Sequence, residues 1–293
     1  MPHMSRPIVV VFPAFNEEPT VGAVIRRTPR EVLGHPVEVV VVDDGSADDT
    51  AAAALAAGAT VHAHGVNRGL GAAVRTGLAI GVDRGAAAIA FLDADGEYAP
   101  VELERLVAPI LAGRADYVAG SRFAGMPRRM LPHRWVGNRV LTIGVRVLVR
   151  RWGVRDLTDA QSGYRALSWR AAAAAEIVHD FNYAQVLTLD LLAKGFRYAE
   201  VPISYGFRRH GQSFVHLGPY LRRVVPAVRR ELASSPTRAT STACVPVDDG
   251  AAPDVVTCAA ASAHHGRAAG AVRPRAAHAG EGAGVGAGSL SLS

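Results

Sequence analysis

The chain has 293 residues, 49% of them hydrophobic, with a mean hydropathy of +0.14 and a formal net charge of +6. That is apolar material for one large domain or two small ones, yet no stretch approaches the roughly 18 uninterrupted apolar residues of a membrane span. Residues 1–6 lead straight into a strand-like run without a leader pattern, so the expected location is cytoplasmic, with peripheral contact at the inner membrane face.

The charge is unevenly placed. From Ser234 onward, arginines 238, 267, 273 and 275 balance acids 248, 249, 254 and 281, so the excess lies within residues 1–233. Lys194 is the sole lysine, and an arginine-borne charge suits bidentate phosphate binding. Cys244 and Cys258 both fall in the last sixty residues and offer the core neither a metal site nor a disulfide framework. The sequence pI of 9.8 raises nucleic acid as a partner, but no interleaved aromatic and basic surface supports it, and none is expected.

The first part alternates strand and helix patterns with short connections, which predicts an α/β fold with a mostly parallel sheet. Residues 8–12 form a buried strand stopped by Pro13, and residues 18–27 carry Val21, Val24 and Ile25 at helical spacing. Residues 37–42 are a second strand ending in Asp43 and Asp44, with Ser46 placed to cap the Ala-rich helix that follows. Residues 60–64 are a third strand, opening through Asn67, Arg68 and Gly69 into a helix that reaches about Gly81. A fourth strand, residues 86–92, ends abruptly in Asp93, Asp95 and Glu97. Pro100 starts a helix, and residues 117–121 are a fifth strand ending at Arg122. The rhythm then changes to a basic loop (124–134), an amphipathic helix (135–149), a polar turn (159–164), a helix (183–194), an alternating strand (196–205) and a basic helix (217–232). Residues 234–293, rich in Ala, Gly, Ser and Thr without apolar periodicity, cannot offset their ordering entropy and are expected to be a disordered tail behind a single domain of residues 1–233.

Every strand of the first part thus ends in polar or glycine residues that can share one crevice at the carboxyl edge of the sheet, where open α/β sheets bind ligands. Three carboxylates at alternating positions cannot lie inside a sheet without large desolvation cost. On an exposed turn they suit a hard divalent cation, which takes one or two carboxylates and completes its shell with water and phosphate oxygens. Gly69-Leu70-Gly71 follows the third strand and has no third glycine at the spacing a dinucleotide fold needs, and no P-loop pattern exists, so neither a dehydrogenase nor a P-loop NTPase is expected.

The segments VVFPAFNEE, VVVVDDGSADDT, NRGLGAAVRTG, FLDADGEYAP, GSRF, DAQSGYRAL and EVPISYGFRRHGQS occur in this order over residues 7–215. Together they resemble family 2 glycosyltransferases of the GT-A fold, in the branch of dolichyl-phosphate mannose synthases and polyprenyl-phosphate glycosyltransferases. The resemblance implies a GDP- or UDP-sugar donor, Mg²⁺ or Mn²⁺, inversion at the anomeric carbon and a polyprenyl phosphate acceptor. It assigns Pro13, Ala14 and Glu17 to the nucleoside wall, Asp44 to the base, and Asp93, Asp95 and Glu97 to the metal; Asn67 and Asp93 are further candidates for binding the nucleotide sugar. Arg122, Ser162, Arg165, Arg208 and Ser213 match positions that hold donor and acceptor phosphates, Arg122 and Arg208 in a catalytic role. A phosphate monoester acceptor is already anionic near neutral pH and needs no general base, whereas a hydroxyl acceptor needs one, for which Asp159 is the candidate. The alternatives are a hydroxyl acceptor or a nucleotide-sugar-binding protein without turnover. Phe214 stands where the mannose synthases commonly have Lys, which weakens the lipid-phosphate assignment, and the membrane hairpins of many bacterial relatives are lacking, which leaves membrane contact to basic amphipathic surface such as residues 135–149 and 217–232.

Overall fold

The computed structural model describes residues 5–124, 132–180 and 183–206, together with the backbone of two short strands at 243–246 and 256–259. In chain order its elements are β1 (Ile8–Ala14), α1 (Glu18–Arg26), β2 (Glu31–Val32), β3 (His35–Asp43), α2 (Thr50–Ala56), β4 (Thr60–Ala63), α3 (Leu70–Asp83) and β5 (Ala88–Phe91). There follow α4 (Leu103–Leu111), β6 (Tyr117–Ser121), α5 (Pro132–Val149), β7 (Arg165–Ser168), α6 (Trp169–Ala174), α7 (Ala184–Ala193), β8 (Tyr198–Pro202), β9 (Ala243–Pro246) and β10 (Val256–Ala259). The expected strands and helices of the first part are all present, and the helix expected over residues 217–232 lies outside the described residues.

The strands form one sheet in the order β2-β3-β1-β5-β7-β6-β8-β10-β9, with β4 pairing on β3. β4, β3, β1, β5, β6 and β8 run in one direction, and β7 is inserted antiparallel between β5 and β6. β1 is buried along its whole length, so its alternating side chains must satisfy two apolar faces at once. Ile8, Val10 and Phe12 join Val21, Val24, Leu103 and Leu106 on one side. Val9 and Val11 join Val74, Leu78, Val149, Leu187 and Leu191 on the other. The result is a sheet flanked by helices on both faces, with α3 seated so closely that a Cβ at Gly77 would lie 2.2 Å from Val11 Cγ1.

Two readings of the sequence change here. The turn after residue 164 continues into a strand, β7, that the sequence pattern did not suggest. Ser46 does not cap α2, which starts at Thr50 without a side-chain cap. Its hydroxyl instead donates to Asp43 Oδ1 (2.5 Å) and accepts from the Asn16 amide (2.9 Å). Within residues 234–293 the described strands β9 and β10 pair antiparallel with each other, and β10 pairs antiparallel with β8.

Candidate active site

The strand directions decide where the polar termini meet. β1, β3, β5, β6 and β8 all deliver their carboxyl ends to one edge, and the reversed β7 delivers its amino end, preceded by residues 159–164, to the same edge. Asp43, Asp93, Arg122, Gly163 and Tyr205 are therefore neighbours in space although they span more than 160 residues of chain.

On the nucleoside side, Pro13 and Ala14 lie in register with Val42 and Asp43, and the Asp44 amide donates to Ala14 O (2.8 Å). Glu17 is buried beside them, its amide donating to Thr50 Oγ1 (2.8 Å) and its carboxylate accepting from Thr20 Oγ1 (3.0 Å). Asp44, assigned to the base, has both oxygens committed within the protein. Oδ1 accepts from the Arg68 amide (3.0 Å) and meets His64 Nδ1 (2.7 Å), while Oδ2 accepts from the Gly69 amide (2.7 Å). This geometry makes Asp44 a staple between β3 and the loop before α3. His64, unremarkable in the sequence, completes the staple through Thr76 Oγ1 (3.0 Å). Asn67 stands exposed on that loop.

The acidic turn is folded back on itself. The Glu97 amide donates to Asp95 Oδ1 (3.0 Å), and Tyr205, bridged to Tyr98 across the sheet edge, donates its hydroxyl to Glu97 Oε2 (2.7 Å). Gly163 packs against Asp93 so tightly that a Cβ there would lie 2.6 Å from Asp93 Oδ2, while its amide donates to Tyr98 Oη (2.7 Å). Burial, above all, pushes the Tyr98 phenol well above its ordinary range, so it stays neutral. Among the described residues no group of three His, Cys, Asp or Glu side chains gathers into a protein-only metal cage. That fits an ion of the Mg²⁺ type, which relies on few carboxylates and on its nucleotide. The glycine cradle behind Asp93 leaves the carboxylate room at the sheet edge.

The phosphate side is the part most changed from expectation. Arg122 clamps Asp159 through Nε to Oδ2 (2.7 Å) and Nη2 to Oδ1 (2.9 Å), and its own amide donates to Oδ2 (3.1 Å). Burial acts to discharge the guanidinium, but the Asp159 charge outweighs it and holds the pKa above the ordinary arginine value. Asp159 is fully buried with both oxygens occupied, which does not suit a general base. Arg165 is also fully buried: Nε donates to Ser162 O (2.8 Å), Nη2 to Ala160 O (2.9 Å), and Nη1 to Ala184 O (3.0 Å) and Thr188 Oγ1 (2.8 Å). It ties the turn to α7, with all three guanidinium nitrogens bonded within the protein. Ser162 is buried in the same turn, with its hydroxyl accepting from the Tyr164 amide (3.3 Å). Arg208 and Ser213 lie outside the described residues.

Beneath Asp159 sits Glu200 of β8, which the sequence reading passed over. Its carboxylate accepts from Thr158 N (2.8 Å), Thr158 Oγ1 (2.5 Å), Asp159 N (3.2 Å) and Tyr198 Oη (2.7 Å). Burial pushes its pKa up, against these four donors. The Arg122 guanidinium lies 5.2 Å from the centre of the Tyr205 ring, so Glu200, Asp159, Arg122, Tyr205 and Glu97 form one continuous series from β8 to the acidic turn.

A parallel nucleotide-type sheet with one reversed strand, carrying an acidic turn opposite a clamped arginine, defines a nucleotide-sugar transferase of the GT-A class. Solved structures share the fold: glucosyl-3-phosphoglycerate synthase from Mycobacterium tuberculosis, in complex with Mn²⁺, UDP and glucosyl-3-phosphoglycerate, superposes with a TM-score of 0.61 at 24% identity, over 82% of this chain and 85% of that one. Residues 9–166, more than half of the chain, match the glycosyl transferase family 2, and the chain belongs to that family. Among curated relatives, the polyprenol monophosphomannose synthase of Mycolicibacterium smegmatis is 32% identical over 217 residues, covering 70% of this chain and 79% of its own length. The undecaprenyl-phosphate mannosyltransferase of Micrococcus luteus is 29% identical over 244 residues, covering 78% and 95%. The protein is thus a family 2 glycosyltransferase that resembles polyprenyl-phosphate glycosyltransferases.

Proposed function

We propose that the protein transfers a sugar, with inversion, from a nucleoside-diphosphate sugar to a polyprenyl phosphate at the cytoplasmic membrane face. The observation that carries the acceptor reading is the state of Asp159. A hydroxyl acceptor needs a base, and the expected base is sealed against Arg122, whereas an acceptor phosphate brings its own negative charge. The names of the relatives point the same way.

In this reading Pro13, Ala14 and Glu17 line the nucleoside. Asp43, whose Oδ1 takes Ser46, accepts from the base in place of Asp44, which is spent on His64 and the loop. One or two of the carboxylates Asp93, Asp95 and Glu97 would hold a divalent ion, Mg²⁺ or Mn²⁺, whose shell water and phosphate oxygens complete. Once bound, such an ion offsets charge on the departing nucleoside diphosphate. Tyr205 orients Glu97, and Tyr98 holds the Gly163 amide so that the 159–164 turn packs directly against the Asp93 carboxylate. Arg122, held flat by Asp159, presents the remaining edge of its guanidinium to phosphate oxygens at the sheet edge. Its planar fork makes such contacts directional.

Nucleotide release should be followed for a panel of UDP- and GDP-sugars with Mg²⁺ or Mn²⁺, with and without a short-chain polyprenyl phosphate. Release that requires the lipid phosphate and disappears in Asp95→Ala is the expected result. Release indifferent to the lipid phosphate points instead to a hydroxyl acceptor, and donor binding without turnover removes the enzymatic assignment of this site.

A further inference from the structure

Helix α5 is apolar on two sides. Thr142, Val145 and Val149 face the interior and are buried. On the other side Val136, Val140, Ile143 and Val147, spaced by four, three and four residues, form one stripe. These four side chains are 53%, 62%, 60% and 60% exposed, the largest run of uncovered aliphatic surface among the described residues. An open groove of about 450 Å³ runs along the helix between Trp135, Ile143 and Leu157.

The charge around this stripe is mostly positive, with exposed Asp156 the acid that follows Arg155. Residues 132–155 contain six arginines (134, 139, 146, 150, 151 and 155) and no Asp or Glu. Arg150, Arg151 and Arg155 are exposed just past the helix end, and Trp135 lies half-exposed near its start. No described helix is long and apolar enough to cross a membrane. A helix with an apolar stripe, an arginine border and an aromatic end suits the plane of an anionic lipid surface. A second copy of the same face would set arginine against arginine across the contact, which is unfavourable.

The helix also adjoins the active site. Phe123, the residue after Arg122, lies 6.5 Å centre to centre from the Trp135 ring, and the Arg139 guanidinium lies 4.8 Å from the Phe123 ring.

We infer that the outer face of α5 docks the protein flat on an anionic phospholipid bilayer, setting Arg122 beside the headgroup layer. The purpose of that placement, presenting a lipid-linked phosphate to the site, rests on the acceptor reading above. The docking itself rests only on α5.

The test is sedimentation of the full chain with vesicles of phosphatidylcholine alone, or of phosphatidylcholine with about one-third phosphatidylglycerol. The protein should bind the anionic vesicles, release them as salt rises and ignore the neutral ones. Val140→Glu with Ile143→Glu, and separately Arg150→Glu with Arg151→Glu, should each weaken binding roughly tenfold or more, with thermal midpoints showing that the fold is kept. Wild-type protein that stays in the supernatant, or folded variants that bind as wild type, would overturn the inference. So would a wild-type dimer that Val140→Glu with Ile143→Glu splits while vesicles play no part. Transfer to a water-soluble short-chain polyprenyl phosphate, assayed on the same preparations, separates the two readings. Transfer without vesicle binding removes the docking alone, and vesicle binding without any transfer to lipid phosphate removes the acceptor reading alone.

Discussion

At the scale of single residues, the site is governed by which charges are already spent. Two buried charges survive out of water only when each satisfies the other, and removing one leaves the partner uncompensated. Arg122 and Asp159 are such a pair, bonded through two parallel contacts and backed by the Arg122 amide. Asp159→Asn keeps the shape, removes the charge and turns an amide N–H toward a guanidinium donor. It is expected to cost about 3–5 kcal/mol of stability in urea unfolding. A double-mutant cycle of Asp159→Ala and Arg122→Ala should show a coupling above about 1 kcal/mol, since the residues share one contact. Additive single effects would mean that the clamp is not what holds Arg122. The same logic applies to Arg165. An arginine in a polar turn looks like an anion binder in the sequence, and only its four bonds to Ser162, Ala160, Ala184 and Thr188 show it closing a core polar network.

At the scale of elements, the strands that announce themselves do so because they are buried on both faces and end in a sudden polar residue. That pattern makes β1, β5 and β6 readable, and with them the edge that carries Asp93 and Arg122, while β3 is buried only over its last four residues, up to Asp43. β7 gives no such signal. Its four residues, Arg165 to Ser168, are too few for a period, begin with a charge and follow a polar turn. Its reversed direction follows from its pairing between β5 and β6, a non-local fact. α5 was legible as a basic amphipathic helix, but periodicity cannot say which of its two apolar sides has a neighbour. β8 hid Glu200, whose meaning depends on donors at 158 and 159. Glu200 gives β8 a pH signature. Burial raises its folded pKa above the ordinary 4.5, so the stability it contributes is complete below that value and lost as pH climbs through the raised one. Glu200→Gln should therefore show a flatter stability–pH curve above about pH 4.5 than wild type, read as denaturation midpoints across the acid range. Parallel curves for the two proteins would refute the linkage.

At the scale of the whole molecule, the sheet couples distant termini, because ligand groups contributed by β1, β3, β5 and β6 belong to strands that share one hydrogen-bonded lattice and two apolar layers. A ligand held at that edge engages most of the described fold and none of the unfolded chain, so its binding energy appears as global stability. A nucleoside diphosphate with Mn²⁺, supplied at about a hundred times its Kd, adds ~2.7 kcal/mol. For a domain of this size that amounts to a rise of about 5–10 °C in thermal midpoint. In the proposed reading the acidic turn offers negative charge to a ligand that is itself negative, so without a cation Asp93, Asp95 and Glu97 would repel a diphosphate bound there. Chelation of the metal is therefore expected to remove most of the rise, and Asp95→Ala to remove it even with metal present. The comparison should be made by scanning calorimetry with UDP and with GDP in parallel, which also identifies the preferred base. A rise that persists undiminished in chelator would show that the nucleotide is held without the cation, and the assignment of the acidic turn as its metal site would fall.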